Sequence, residues 1–284
     1  MMNAGVRCGW FAPATLLLLT SSFASTLGQP DVQKIVQLSV TDLQADWQQM
    51  PNFESVERDE DTKGGKITSE TYEAMMIDGS PYNRLVARDG LALSSEEAAR
   101  QTKRLEEENA RRAKESPQER AARIAKYQKD RNRAFVLMRN MTEAFDFQLK
   151  GEETVEGHNV YVLRAVPRPD YQPASHETRM LTGMQGTLWI DKETNRWVRV
   201  EAEVIEPVWF GWFLAKVDPG TQFLLEQTPL PSGIWLPKHF RVRVKASLLW
   251  LHKDYAHDET YQDYRPISGP TAKPPTVTNK VNSN

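Results

Sequence analysis

The stretch "GTLWIDKETNRWVRVEAEV" (186–204) has the pattern of two strands joined by a short turn. The polar run from Lys192 to Asn195 predicts that turn. In the second strand apolar and charged residues alternate, which in an extended chain sends them to opposite faces. One face would carry Val198, Val200, Ala202 and Val204, and the other Trp197, Arg199, Glu201 and Glu203. Such a hairpin is typical of an antiparallel sheet that is apolar on one side only.

Similar hairpin patterns flank this stretch on both sides. Downstream, turn signals at Pro231–Gly233 and a strand-like run at 258–265 predict a further hairpin and a last strand. Upstream, hairpins are predicted around Glu156–Asn159 and within 53–93, where Gly64-Gly65 and Asp78-Gly79 mark turns. Consecutive hairpins predict an antiparallel meander rather than parallel βαβ units. We also expect basic and acidic side chains on the charged face to pair across strands.

Two segments have the pattern of helices that cover an apolar sheet face. In 31–50 the apolar residues recur at helical spacing, and the helix is predicted to end before Pro51. Its apolar stripe consists of Val32, Ile35, Val36, Val40, Leu43 and Trp47. The hydrophobic segment 134–149 is expected to pack against the same core.

Residues 94–133 form a highly charged insertion. Ser94 and Ser116 each precede a glutamate by three positions, which predicts two N-capped helices. Between Glu96 and Arg133 there are 8 acidic and 12 basic residues, and the apolar ones are mostly alanine. This composition favours two solvated helices, and a basic arm that binds a partner is the alternative.

The two ends of the chain differ from the middle. Residues 1–28 have a basic start, an apolar run at 10–19 and then small residues that offer cleavage after Ala24 or after Gly28, which predicts a secretory signal peptide. The apolar run is short for a bilayer, so an uncleaved membrane anchor is the less favoured alternative. We therefore expect a periplasmic domain over 29–265 without a membrane span after cleavage. The tail, 266–284, is rich in proline and polar residues and is expected to be disordered.

Catalytic signatures are missing from the sequence. It shows no nucleophile elbow, zinc-protease, phosphate-loop or dinucleotide pattern, and the net charge of -2 argues against nucleic acid as a partner. The histidine-rich segment 252–259 is a weak candidate for a metal site, because the five-residue spacing of His252 and His257 suits neither one helix face nor one strand face. We therefore expect no enzyme activity, no cofactor and no metal.

Aromatic residues are the candidate binding groups. "VWFGWF" (208–213) interrupts the alternation and contains a glycine. These aromatics pack in a core or line a site for an acyl chain. The candidates for binding a hydrophobic ligand are Trp189, Trp197, Trp209, Phe210, Trp212, Phe213, Trp235 and Trp250.

The order of elements, together with "GEETVEGHNVYVLRAVPRPDY" (151–171), "GTLWIDKETNRWVRVEAE" (186–203) and "YQDYR" (261–265), resembles the LolA/LolB-type lipoprotein-carrier family. The related regulator RseB shares this order. The resemblance spans roughly 31–265. It implies an α+β fold, an open antiparallel half-barrel whose concave side is covered by helices.

The resemblance also implies a function. Family members bind acyl chains or other apolar ligands without catalysis. We therefore expect a periplasmic binding or carrier protein for a hydrophobic ligand. The alternative is an RseB-like envelope module that binds a protein partner through the insertion 94–133. The insertion and the tryptophan-rich second half set this sequence apart from the family pattern.

Overall fold

The computed structural model describes residues 30–175, 178–210, 215–248 and 251–267. The predicted signal peptide and the predicted tail beyond Ile267 lie outside the described residues, as do Trp212, Phe213 and Trp250. Within the described part, three α-helices pack on an antiparallel sheet of thirteen strands.

The first helix forms as its apolar spacing predicts. Helix α1 spans Val32–Gln49, and the side chain of Asp31 caps it by accepting a hydrogen bond from the Lys34 amide at 3.0 Å. The buried positions of its stripe are Ile35, Val36, Val40 and Leu43. A short 3-10 turn, Met50–Asn52, follows and contains Pro51.

The remaining elements fall into two blocks, four strands followed by two helices and then nine strands. The first block is β1 (Phe53–Lys63), β2 (Lys66–Ile77), β3 (Ser80–Arg88), β4 (Leu91–Ala92), α2 (Ser95–Ala113) and α3 (Pro117–Ala144). The second begins with β5 (Phe145–Val155), β6 (His158–Pro167), a 3-10 turn (Thr178–Gly183), β7 (Met184–Asp191) and β8 (Trp197–Val204). It continues with β9 (Val208–Phe210), β10 (Ala215–Val217), β11 (Gln222–Pro229), β12 (Trp235–Leu248) and β13 (Leu251–Pro266).

The sheet is open, with β4 and β5 at its two edges. Its order is β4-β3-β2-β1-β13-β12-β11-β8-β7-β6-β5, and the short strands β9 and β10 extend from β12. Neighbours are hairpin partners except at two places. Strand β8 pairs with β11, and the last strand, β13, pairs with the first, β1. The predicted α+β class, an open antiparallel sheet with an N-terminal helix, is confirmed.

The charged insertion continues into the core. Both predicted caps are present, since the Ser94 and Ser116 hydroxyls accept hydrogen bonds from the Glu97 and Glu119 amides. Helix α3, however, does not end near residue 133 but runs to Ala144, because no glycine, proline or cap interrupts it. Its last part, including the buried Met138, packs into the core, and only 145–149 of the predicted packing segment is strand.

A β-bulge corrects the predicted faces of β8. Trp189 pairs with Arg199 and Ile190 pairs with Trp197, so Val198 is an extra residue in its strand. Trp197 and Val200 therefore lie in the core beneath the helices. Val198 packs on the other side of the sheet, in a second small core. The simple alternation predicted for 197–204 is wrong at this point because a bulge shifts side chains between faces.

Candidate functional site

One face of the sheet carries all three helices, and we call it the helix-bearing face. Register places side chains of neighbouring strands in rows across it. One row runs Leu188, Val200, Leu225, Phe240, Glu259, Asp59 and Glu70. A second runs Ala202, Phe223, Val242, His257, Asp61 and Thr68. Both rows are apolar from β8 to β12 and ionisable or polar from β13 to β2.

The apolar end of this face is sealed by α1. Trp197 is 3% exposed, and its indole N–H donates to the buried Ser39 hydroxyl of α1 at 2.9 Å. Beside it, Arg196 donates to the Asp46 carboxylate at 2.9 Å. The helix is therefore fixed to the sheet both by apolar packing and by buried polar contacts.

At the opposite end, a cleft lies between α3 and the strands β1, β2 and β13. Its volume is about 450 Å³, within the size range of small-molecule sites. Apolar and aromatic side chains form most of its walls. They are Met50, Pro51, Phe53, Ala74, Met75, Met76, Pro81, Tyr127, Tyr261 and Tyr264.

A few polar groups enter the cleft. Arg131 of α3 donates to the Trp47 carbonyl at 2.6 Å and lies over the rings of Tyr127 and Phe135. Burial, together with the charges of Asp59 and Glu259, raises the pKa of Glu57 to about 7. Apolar walls with a small number of polar groups are the usual composition of a ligand site.

Beyond Glu57 the same face carries an ionisable cluster, which we define as Asp59, Asp61, His257 and Glu259. His257 Nδ1 lies 2.8 Å from an Asp61 oxygen, and its Nε2 lies 2.7 Å from a Glu259 oxygen. Burial opposes the charged imidazolium, but these two hydrogen bonds outweigh it and raise the pKa of His257. Tyrosine hydroxyls donate to the same carboxylates, Tyr255 to Asp61 and Tyr261 to Glu259.

The other face of the sheet is a lattice of ion pairs. Arg199 pairs with Glu201 and Glu226, and Arg241 pairs with Asp258. His239 lies between Glu226 and Asp258, at 3.1 and 2.8 Å. The expected pairing of opposite charges across strands is present here.

The described tryptophans among the candidates do not form one surface. Trp197 lies in the core under α1, and Trp235, also 3% exposed, lies in the second core with its ring edge-on to His158. Trp189 is on the ion-paired face, where its ring lies against Arg199 and its N–H donates to Glu153 at 3.1 Å. For Trp209 and Phe210 the structure gives only the backbone of β9.

The insertion is tied to the sheet by buried arginines. Arg112 is 5% exposed and donates to the Ile77 and Ser80 carbonyls at 2.6 and 2.9 Å. Its Nε donates to Glu108 at 2.6 Å. Arg123 of α3 donates to Glu115 and to the Ser80 hydroxyl, at 2.6 and 2.7 Å. The outer side of α2 is exposed and charged, as the composition predicted.

Sequence reasoning missed the cleft and the ionisable cluster. "ETYEAMMIDG" (70–79) contains an apolar run that borders the cleft, but the charges of 53–93 suggested only a wet face. The sequence shows His257 and Glu259 only beside their neighbours in the chain. In the structure they lie opposite Asp61 and Asp59 of β1. None of the described helices is long and apolar enough to cross a membrane.

No family model matches the sequence, and no curated protein sequence matches it. Solved structures with a similar fold include a DUF1329 family protein from Desulfovibrio piger, at 14% identity and a TM-score of 0.33, covering 84% of this chain and 94% of that one. An outer membrane lipoprotein-sorting protein domain from Vibrio parahaemolyticus has 10% identity and a TM-score of 0.34, covering 82% and 94%. A LolA superfamily protein from Nitrosomonas europaea has 11% identity and a TM-score of 0.31, covering 84% and 94%. The chain itself shows an open antiparallel sheet with an N-terminal helix.

Proposed function

We propose that this protein is a non-enzymatic binding or carrier protein of the periplasm that holds a hydrophobic ligand, such as an acyl chain, in the cleft under α3. The observation that carries the proposal is the cleft itself, about 450 Å³ with walls formed mostly by methionine, aromatic and other apolar side chains. Methionine side chains are unbranched and adapt to ligands of irregular shape.

The driving force would be burial of apolar surface. Each methylene group that leaves water contributes about 0.8 kcal/mol, so a chain of about ten buried methylenes supplies about 8 kcal/mol before the cost of ordering. The apolar rows on β8, β11 and β12 continue the same face, and Phe223, Phe240 and Val242 are half-buried there. They offer further apolar contacts to a ligand longer than the cleft.

The first test is native mass spectrometry with lipid extraction on protein purified from a bacterial periplasm. We expect a co-purified acyl species, or uptake of a fluorescent fatty-acid probe by the stripped protein. Protein that is free of lipid and takes up no probe would contradict the proposal.

A matched pair of variants places the ligand. Met76 borders the cleft, whereas Ile67, on the same strand, is 60% exposed. Met76→Glu should weaken probe binding at least tenfold, because a carboxylate would enter the apolar cleft, and Ile67→Glu should leave binding unchanged. Equal affinities for both variants would show that the ligand, if bound, lies elsewhere.

A second candidate function is an envelope regulatory or scaffold module that binds a protein through the insertion. The observation that favours it is that Arg112 anchors α2 to the sheet. The helix therefore presents its exposed charged side in a fixed position. A double charge reversal, Lys103→Glu with Arg104→Glu, alters this surface without touching the buried arginines. Loss of partner capture with unchanged probe binding would support this function, and loss of neither would argue against it.

A further inference from the structure

The ionisable cluster carries more negative charge than its own cations neutralise. It contains three carboxylates, of which Asp61 pairs with His257 and Lys63 while Glu259 pairs with His257. Among the described residues, neither Glu57 nor Asp59 makes an ion pair. Carboxylates that repel each other at a partly buried position favour a bound cation.

One oxygen atom in the cluster lacks an N–H or hydroxyl donor. Asp59 Oδ1 is buried, and within the described part of the chain only the carboxyl group of Glu57, when protonated, is placed to donate to Asp59. A buried oxygen of this kind normally has a partner, because the lost hydration is otherwise uncompensated. The side chains around Asp59 are the acids Glu57, Asp61 and Glu259 and the imidazole of His257, and an ion bound between them would supply a partner for this oxygen.

We infer that Asp59, His257 and Glu259 form a binding site for one divalent transition-metal ion of the zinc or manganese type. One donor atom from each residue lies within 4.8 Å of the others. Donors at about 2.1 Å from one ion are separated by at most about 4.2 Å, so small side-chain rotations complete the site. Two strands that are distant in sequence supply the ligands, with Asp59 directly opposite Glu259 in the register.

Neighbouring groups orient these ligands. His257 Nδ1 faces Asp61, which leaves Nε2, now beside Glu259, as the atom that would bind the metal. A carboxylate behind the second nitrogen of a ligand histidine is the usual arrangement in metal sites. One imidazole with two or more carboxylates is a donor set for Zn²⁺ or Mn²⁺ rather than for a soft, thiolate-seeking ion.

His239 also lies between two carboxylates, and it differs from His257 in how those carboxylates are neutralised. On the ion-paired face, His239 also contacts two acids, Glu226 and Asp258. There each acid contacts a guanidinium as well, that of Arg199 or Arg241, so the charges balance without a metal. His239 is therefore a matched control for His257.

The test is titration of the chelator-stripped protein with Zn²⁺, and separately with Mn²⁺, by isothermal calorimetry at pH 7.5. We expect about one ion per chain for the parent protein. His257→Ala and Asp59→Asn should each weaken binding at least tenfold, and His239→Ala should bind as the parent does. Thermal melts identify any variant that has lost its fold, and Asp59→Asn decides the question if His257→Ala has unfolded.

Three outcomes would overturn the inference. The first is a parent protein that binds neither ion. The second is binding that survives both Asp59→Asn and His257→Ala. The third is equal loss in the His257 and His239 variants, which would indicate histidines elsewhere on the surface. Uptake of an acyl probe is measured in a separate experiment. A failure of the metal site can therefore be distinguished from a failure of the proposed ligand site.

Discussion

The two ends of the helix-bearing face share one sheet and one set of covering helices, yet they differ in how they are filled. Near β6 to β8, α1 covers the sheet with interlocked apolar side chains, and Trp197 and Leu188 are almost fully buried. Near β13, β1 and β2, the covering helix α3 leaves a cleft, and the sheet presents Glu57 and the ionisable cluster. Close packing stabilises the fold. An open cleft beside several carboxylates costs stability, because packing contacts are lost and like charges repel each other.

On the proposed function, this difference separates a part of the molecule that stabilises the fold from a part that binds ligands. Substitutions in the first part should change the free energy of unfolding, and substitutions in the second should change binding. The following predictions test that division, starting with the largest effect.

Trp197→Ala should lower the free energy of unfolding by about 3–5 kcal/mol, because it leaves a cavity under α1 and removes the donor to the Ser39 hydroxyl. Chemical denaturation measures this loss. A change below about 1 kcal/mol would show that α1 does not seal the core as described.

Arg112→Ala should lower the free energy of unfolding by about 2–3 kcal/mol. The change removes the cation that Glu108 and the carbonyls at the β2–β3 turn share, and leaves these acceptors without a partner. Arg104→Ala, on the exposed side of α2, is the control and should change stability by less than about 0.5 kcal/mol. Equal effects of the two substitutions would mean that the insertion is not anchored through Arg112.

Trp189→Ala should cost about 1–2 kcal/mol, less than Trp197→Ala. This side chain is partly buried on the ion-paired face, where it packs at the edge of the second core, contacts Arg199 and donates to Glu153. Comparing this variant with Trp197→Ala by the same denaturation assay separates the two faces of one hairpin. A loss as large as that of Trp197→Ala would place Trp189 in a core.

The smallest effect is a pH dependence of α2. Hydrogen bonds from Arg111 and then Arg112 lower the pKa of Glu108 to about 2, from its usual value of 4.5. Because the folded-state pKa is depressed, the stabilisation is present above about pH 4.5 and is lost as the pH falls towards 2. Solvent screening limits it to less than about 1 kcal/mol. Parent and Glu108→Gln should therefore differ in urea midpoint at pH 6 and converge near pH 2.5, and a constant difference would contradict this assignment.

Local patterns in the sequence predict most of the fold. The stripe of α1, the caps at Ser94 and Ser116, and the turns between hairpins all follow from interactions among residues close in sequence. Two features do not. The bulge at Val198 depends on how two strands pair, and the alternation of apolar residues does not reveal it. The pairing of β13 with β1 brings together residues about 200 positions apart, and no local pattern encodes it.

The candidate site forms through that long-range pairing. The sequence alone therefore pointed to the tryptophans as binding groups. A tryptophan is conspicuous in a sequence, but Trp197 and Trp235 are held in two separate cores. The groups that converge, Asp59 and His257, become neighbours only once the sheet is assembled. The charged residues of 53–63 predicted a solvent-exposed surface. In the structure, however, Glu57 faces the cleft under α3.

The pairing of β1 with β13 also sets a condition for folding. Closing a loop of about 200 residues costs about 4–5 kcal/mol of chain entropy, which many contacts between β1 and β13 must offset together. Until residues 251–266 have been synthesised, strand β1 lacks the neighbour that joins it to the second block. A chain cut before residue 251 would keep every upstream hairpin sequence, yet the two blocks would have no strand to connect them. Strand β13, sixteen residues long, therefore has to be present before the two blocks can share one sheet.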